Sequence, residues 1–183
     1  MKLKLHVMKK LIILLILACF YGCKTDTNKN KAEVNNTKKE IINEFIVQVL
    51  YKVNVEDEFK FSLTHITVDE FQKKHIHILE KVSKTTSFDK IVANFGDNFS
   101  TRFNIDLGTK IVKEVEIKSI KLTYGTKELF ITPDELDEYF VINGYIDFDS
   151  TNRTLTTKKM DNKHYPTLTL NRKAYNILKK EIK

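Results

Sequence analysis

His75 and His77, one residue apart, would project from the same face of a β-strand, and such an H-x-H pair can begin a tetrahedral zinc site that His65 or His164 would extend. The polar face of a solvated strand accounts for the pair equally well, and no metal is expected. Asp147, Asp149 and Thr151 supply oxygen ligands at the first alternate positions of a calcium loop, D-x-D-x-T. Asn152 stands where that loop needs glycine and Lys158 where it needs its closing glutamate, so an ordinary Asp/Ser/Asn turn is the expectation. Asp134, Glu135, Asp137 and Glu138 crowd carboxylates of the kind used in general acid–base work. The first turn of a helix, whose dipole stabilises negative charge, explains them without catalysis. Arg102 and Asp106 share the polar side of a phenylalanine-rich strand, either as a sugar or carboxylate contact or as members of cross-strand ion pairs. Tyr51, Tyr124 and Tyr145 could stack on sugar rings, although the chain has no Trp, the largest stacking surface. No G-x-S-x-G, H-E-x-x-H, P-loop or Rossmann fingerprint occurs, so neither enzymatic activity nor a cofactor is expected. The ligand-binding candidates are therefore Tyr51, Arg102, Asp106, Tyr124 and Tyr145.

The elements that must position these residues are mostly strands. "EFIVQVLYKV" alternates with Phe45, Val47, Val49, Tyr51 and Val53 on one face. "HIHIL" sets His75 and His77 against Ile76 and Ile78. "FSTRFNIDLG" puts Phe99, Thr101, Phe103, Ile105 and Leu107 on one face and Ser100, Arg102, Asn104 and Asp106 on the other. In "EVEIKSIKLTYGTKELFI" the apolar phase slips between Val115/Ile117 and Ile120/Leu122/Tyr124, which predicts a β-bulge near Lys118-Ser119. Tyr124-Gly125-Thr126-Lys127 then reads as a hairpin turn. "TPDELDEYF" predicts a helix with Thr132 as cap, Pro133 at its first position, Glu135 closing a capping box and Leu136, Tyr139 and Phe140 facing inward, ended by Asn143-Gly144. "YIDFD", "RTLTT" and "PTLTL" resume the strands, with a turn at Ser150-Thr151-Asn152. In the tail, Ala174, Ile177, Leu178 and Ile182 permit a short helix. Many short strands with one helical insertion favour an antiparallel sandwich over a parallel α/β fold.

The first 22 residues are of another kind. A basic stretch ending in Lys9-Lys10 leads into "LIILLILACFYG", about a dozen apolar residues where a membrane-spanning helix needs about 20. Both cysteines of the chain, Cys19 and Cys23, lie at its end, so the domain beyond can hold no disulfide framework. "KTDTNKNKAEVNNTKKE", residues 24–40, is Lys/Asn/Thr-rich and predicts a solvated tether. The leader also explains much of the formal charge of +7. It holds Lys2, Lys4, Lys9 and Lys10 and no acid, and without them 27 basic residues face 24 acidic ones, a net of +3. Arg occurs only at 102, 153 and 172, and no basic stripe interleaved with aromatics is present, so nucleic acid is not an expected partner.

"ILAC" and "FYGC" resemble the signal of bacterial lipoproteins, in which the cysteine after a small residue becomes the lipidated N-terminus of the mature protein. The resemblance implies lipid attachment at Cys23, with Gly22 before it and the polar tether at once behind it; Cys19 is the alternative, with the better aliphatic residue three places upstream. "RFNIDLGTKIVKEVEIKSIKLTYGTKELFI", residues 102–131, with "EFQKKHIHI", residues 70–78, is similar to the extracytoplasmic jelly-roll modules attached to some membrane glycosyltransferases. In those a strand "RIDLG" precedes "EIKIKSIKI"; Asn104 replaces the arginine here. The resemblance implies a jelly-roll, galactose-binding-like sandwich of a kind sometimes used to bind carbohydrate.

The expected organisation is thus a signal peptide at 1–22, a lipidated Cys and polar tether at 23–41, and a mainly β antiparallel sandwich at 42–183 with one short capped helix. Such a protein would be lipid-anchored at the cell membrane or outer membrane with its domain outside the cytoplasm. Its expected work is non-catalytic: an accessory or interaction module meeting an envelope protein, with binding of envelope or host glycan as the alternative.

Overall fold

A computed structural model describes residues 43–179. Eleven strands dominate it: β1 (Phe45–Val53), β2 (Asp57–Thr67), β3 (Lys73–Val82), β4 (Asp89–Asn94), β5 (Arg102–Asp106), β6 (Glu114–Tyr124), β7 (Lys127–Ile131), β8 (Phe140–Ile142), β9 (Ile146–Asp149), β10 (Thr154–Thr157) and β11 (Thr167–Leu170). Helix α1 (Leu136–Tyr139) follows a single 3-10 turn, Pro133–Glu135, and α2 (Arg172–Lys179) closes the described chain. The strands form two antiparallel sheets. The first runs β4-β1-β6-β10-β9, with β7 sharing the outer edge of β6; the second runs β3-β2-β5-β11-β8. Only β2–β3, β6–β7 and β9–β10 are hairpins; every other connection passes from one sheet to the other, so the chain winds around the core as it goes. The protein is an antiparallel β-sandwich.

Alternation explains why these residues build it. Phe45, Val47, Val49, Tyr51 and Val53 all point into the core and are at most 1% exposed, each burial stabilising by roughly 1.5–3 kcal/mol. The opposite sheet answers with Phe59, Phe61, Leu63, Phe103, Ile105, Leu168 and Leu170. On β6 the slip in apolar phase is resolved as expected. Leu50 pairs with Ser119 and Tyr51 with Ile117, so Lys118 is the extra residue that turns Val115/Ile117 and Ile120/Leu122 to the same side. Gly125, at a φ of 58°, makes the two-residue turn between Tyr124 and Lys127.

Two expectations need correction. Phe99, Ser100 and Thr101 lie before β5 rather than in it, and Ser100 is buried with its hydroxyl donating to the Thr64 carbonyl at 2.6 Å. The capped helix ends at Tyr139, well short of Asn143-Gly144. Phe140, Val141 and Ile142 pair instead with Leu170, Thr169 and Leu168, because aromatic and β-branched residues beside an open sheet edge complete a ladder in preference to another helical turn. The tail forms the short helix expected, α2, with Ala174 and Leu178 buried and Ile177 outward; Ile182 falls outside the described residues. The cap is as read: the Glu135 carboxylate accepts from both the Thr132 amide (3.1 Å) and hydroxyl (2.7 Å), which holds it below its ordinary pKa.

Candidate ligand-binding site

Residues that alternate with the core positions on the second sheet form its outer face. Cross-strand pairing aligns them in rows: His77 beside Ser62, Asn104, Thr169 and the exposed Val141, and Leu79 beside Lys60, Asp106 and Thr167. Nearly every position carries a hydrogen-bonding side chain. The second row ends in a pocket of about 220 Å³ bounded by Lys60, Leu79, Asp106, Gly108, Lys110 and Tyr165. Asp106 is its organising carboxylate. One oxygen meets the Lys60 ammonium at 3.1 Å and the other accepts from the Thr167 hydroxyl at 2.7 Å.

Tyr165 lines this pocket, 56% exposed, and is supported by its neighbours. Tyr145 packs edge-on against it with ring centroids 5.9 Å apart. The Asn143 amide donates to the Tyr165 carbonyl at 2.6 Å, while its oxygen accepts from the Tyr145 and Thr167 amides, both at 3.2 Å. One asparagine thus fixes the backbone on both sides of the two tyrosines.

Beneath the pocket lies a fully buried ion pair, with the Lys113 side chain 0% and the Asp57 side chain 1% exposed. The Lys113 ammonium donates to Asp57 and, at 2.8 Å, to the Leu107 carbonyl; the second Asp57 oxygen accepts from the Glu58 amide at 2.8 Å. Burial pushes the Lys113 ammonium below its ordinary pKa, with Asp57 opposing. Burial alone would raise the Asp57 carboxyl, but the hydrogen bonds from Lys113 and Glu58 outweigh it and hold the carboxyl low. Gly108 closes over the pair at a φ of 86°, where a Cβ would come within 2.6 Å of the Asp57 carboxylate. The site therefore has a charged floor that is satisfied internally and a wet, polar wall open to solvent.

The sequence candidates separate on this surface. Asp106 lines the pocket and Tyr145 supports Tyr165. Arg102 is exposed at the other end of β5, four residues and about 13 Å from Asp106, so the two act apart. Tyr124 belongs to a second groove of about 360 Å³ at the opposite end of the sandwich, where it stacks on Phe99 at 4.3 Å and Phe99 on Tyr175 at 4.9 Å. Tyr51 is a core residue, not a stacking platform. It is 1% exposed, packs on Phe59, and burial, then Asp89, push its hydroxyl up to about 12. Cys23 and Cys19 lie outside the described residues.

The remaining motifs take ordinary parts. The His65 and His75 rings meet edge-to-face at 5.4 Å, whereas His164 is buried elsewhere with Nδ1 3.1 Å from the Thr109 carbonyl. Among the described residues no group of three or more His, Cys, Asp or Glu could hold a metal. Asp149 caps the turn by accepting from the Thr151 and Asn152 amides, and Asp147 pairs with Lys158. In the acidic run, Asp134 meets Arg153 and Glu138 meets Lys173.

Tyr165, Lys60, Asn143 and the Asp57–Lys113 pair were not among the candidates. The pair did leave a signal: Lys113 is in phase with Val115 and Ile117, and Asp57 with Phe59, Phe61 and Leu63. Tyr165 left none, since it sits in a loop before Pro166. Compared with family models, curated proteins and solved structures, the chain matches none.

Proposed function

We propose that this chain is a non-catalytic lipoprotein of the cell envelope, an accessory binding module tied to the membrane through Cys23, or alternatively Cys19, with its sandwich outside the cytoplasm. Of its two prospective ligand classes, glycan and envelope protein, the geometry favours glycan. The observation that carries this is the outer face of the second sheet: rows of hydroxyl, amide and charged side chains leading to a pocket lined by a half-exposed, well-supported tyrosine. Sugar recognition uses that combination, an aromatic face for the C–H side of the ring and fixed polar groups for its hydroxyls. Asp106 would accept from sugar hydroxyls, Lys60 would donate, and Tyr165 would stack.

Screening on an array of envelope and host polysaccharides, followed by calorimetry, tests this. Binding weakened at least tenfold by Tyr165→Ala and by Asp106→Ala supports it. No binding to any glycan sinks it and turns the search to a protein neighbour by crosslinking in cells. The anchor is tested separately by palmitate labelling of wild type, Cys23→Ala and Cys19→Ala. Label retained in Cys23→Ala but lost in Cys19→Ala transfers the attachment to Cys19.

A further inference from the structure

The hairpin β2–β3 outruns the sheet it belongs to. β5 accompanies β2 only from Lys60 to Thr64, whereas β3 stays paired with β2 out to Thr67. The register shifts between Leu63 and Ile66, where His65 adopts a φ of 57°, and beyond that point the two strands continue as a ribbon.

The tip of the ribbon is closed by hydrogen bonds, and it presents apolar side chains to solvent. The Val68 amide donates to the Gln72 carbonyl at 3.0 Å, and the Asp69 carboxylate turns back to accept from the Phe71 and Gln72 amides at 2.8 and 2.7 Å. These bonds fix the turn with Phe71 93% and Val68 55% exposed; Asp69 and Glu70 precede Phe71, and Lys73 and Lys74 follow after Gln72. An exposed Phe held out by a hydrogen-bonded turn, with basic residues behind it, has the make-up of an interfacial anchor: a ring for the acyl boundary and ammonium groups at headgroup level.

Where the described chain begins identifies the surface it meets. Val68 lines the same groove as Tyr124. The next residue, Gly125, donates its amide to the Glu44 carbonyl at 3.3 Å and packs against Asn43. Residue 43 is therefore at the hairpin end of the sandwich, and the stretch that the anchor reading leaves before it, from Cys23 onward, joins the domain there. We infer that the β2–β3 tip is a second membrane contact, with Phe71 and Val68 entering the headgroup–acyl boundary of the bilayer that carries the lipidated N-terminus. This rests on the lipid-anchor reading for the bilayer's presence but not for the tip's affinity.

The absence of Trp makes the test direct. Full-length protein carrying Phe71→Trp, and a control carrying Val92→Trp on β4, are mixed with phosphatidylcholine/phosphatidylglycerol vesicles and floated on a gradient. Emission and quenching by brominated lipids are then read. The expected result is a blue-shifted indole in Phe71→Trp, quenched most by shallow bromines, with the emission of Val92→Trp unchanged. Flotation of Phe71→Trp with water-like, unquenched emission overturns the inference and leaves the anchor intact. A blue shift in Phe71→Trp protein from which labelling shows no lipid supports the tip while the anchor reading fails. Neither flotation nor shift overturns both.

Discussion

Replacing Lys113 with methionine removes one half of a buried ion pair and leaves the Asp57 carboxylate 1% exposed with no counter-charge. Stranding a buried charge this way costs about 3–5 kcal/mol. For a domain of this size each kcal/mol corresponds to about 3–4 °C, so Lys113→Met should melt about 10–20 °C below wild type. Restoring neutrality should recover most of the loss. In Asp57→Asn/Lys113→Met the side-chain amide oxygen introduced at position 57 can still accept from the Glu58 amide, so the double variant should lie within about 2 kcal/mol of wild type. The pH dependence supplies a second signature. In wild type the Asp57 carboxyl is depressed, so its contribution is present above its unfolded value of about 3.9 and lost as pH falls through the lower folded value. In Lys113→Met the ammonium's hydrogen bond and charge are gone and only backbone hydrogen bonds oppose burial, so the same carboxyl rises relative to wild type and the penalty, full at neutral pH, fades as acid protonates it. Urea midpoints at pH 7 and pH 4.5 should therefore show the gap narrowing in acid. A gap under about 1 kcal/mol at pH 7, one that is flat with pH, or a double variant no better than the single would refute the account of a dry, coupled pair.

Gly108→Ala forces a side chain into a positive-φ position and against the Asp57 carboxylate, and should destabilise by more than about 1 kcal/mol in chemical denaturation. Tyr51 should ionise well above the ordinary tyrosine range. A spectrophotometric titration should show a component near 12 that Tyr51→Phe removes. Because the folded value is raised, the stability linked to this hydroxyl is present below about 10 and lost as pH rises toward about 12. A titration unchanged by Tyr51→Phe would contradict its burial.

What could be read from residues alone follows from how local the determinant is. The bulge at Lys118 was legible because an apolar phase slip within one strand has one economical cause. The turn at Gly125 and the Glu135 cap were legible for the same reason: each is settled within four residues. The end of the capped helix was not, because Phe140–Ile142 are claimed by β11, some 30 residues downstream. Strand β2 shows only part of an inward pattern. Its inward register begins with a charged Asp57, breaks at His65 and ends in an exposed ribbon, so only Phe59, Phe61 and Leu63 advertise it. Asp106 was identifiable as a polar residue facing away from phenylalanines, but Tyr165 reaches it only through the pairing of β11 with β5.

The two ends of β2 give the molecule a polarity. Asp57 and Lys60 at its start border the pocket, and Thr67 at its finish leads into the Phe71 tip. Eleven residues at about 3.3 Å each separate them by roughly 35 Å. A protein held only by a lipid on its N-terminus through a polar tether is free to tilt and to lift from the bilayer, so its pocket has no fixed height. A second contact at the tip removes the tilt and holds the pocket away from the membrane, facing what lies beyond it. The consequence is measurable without any ligand. Neutron reflectometry on supported bilayers should find a protein layer of different thickness and with sharper boundaries for wild type than for Phe71→Ser, while the glycan affinity of the two in detergent stays equal. Equal layer thickness would separate the tip from orientation, and unequal affinity in detergent would show that the two ends of the sandwich are coupled through the fold rather than through the bilayer.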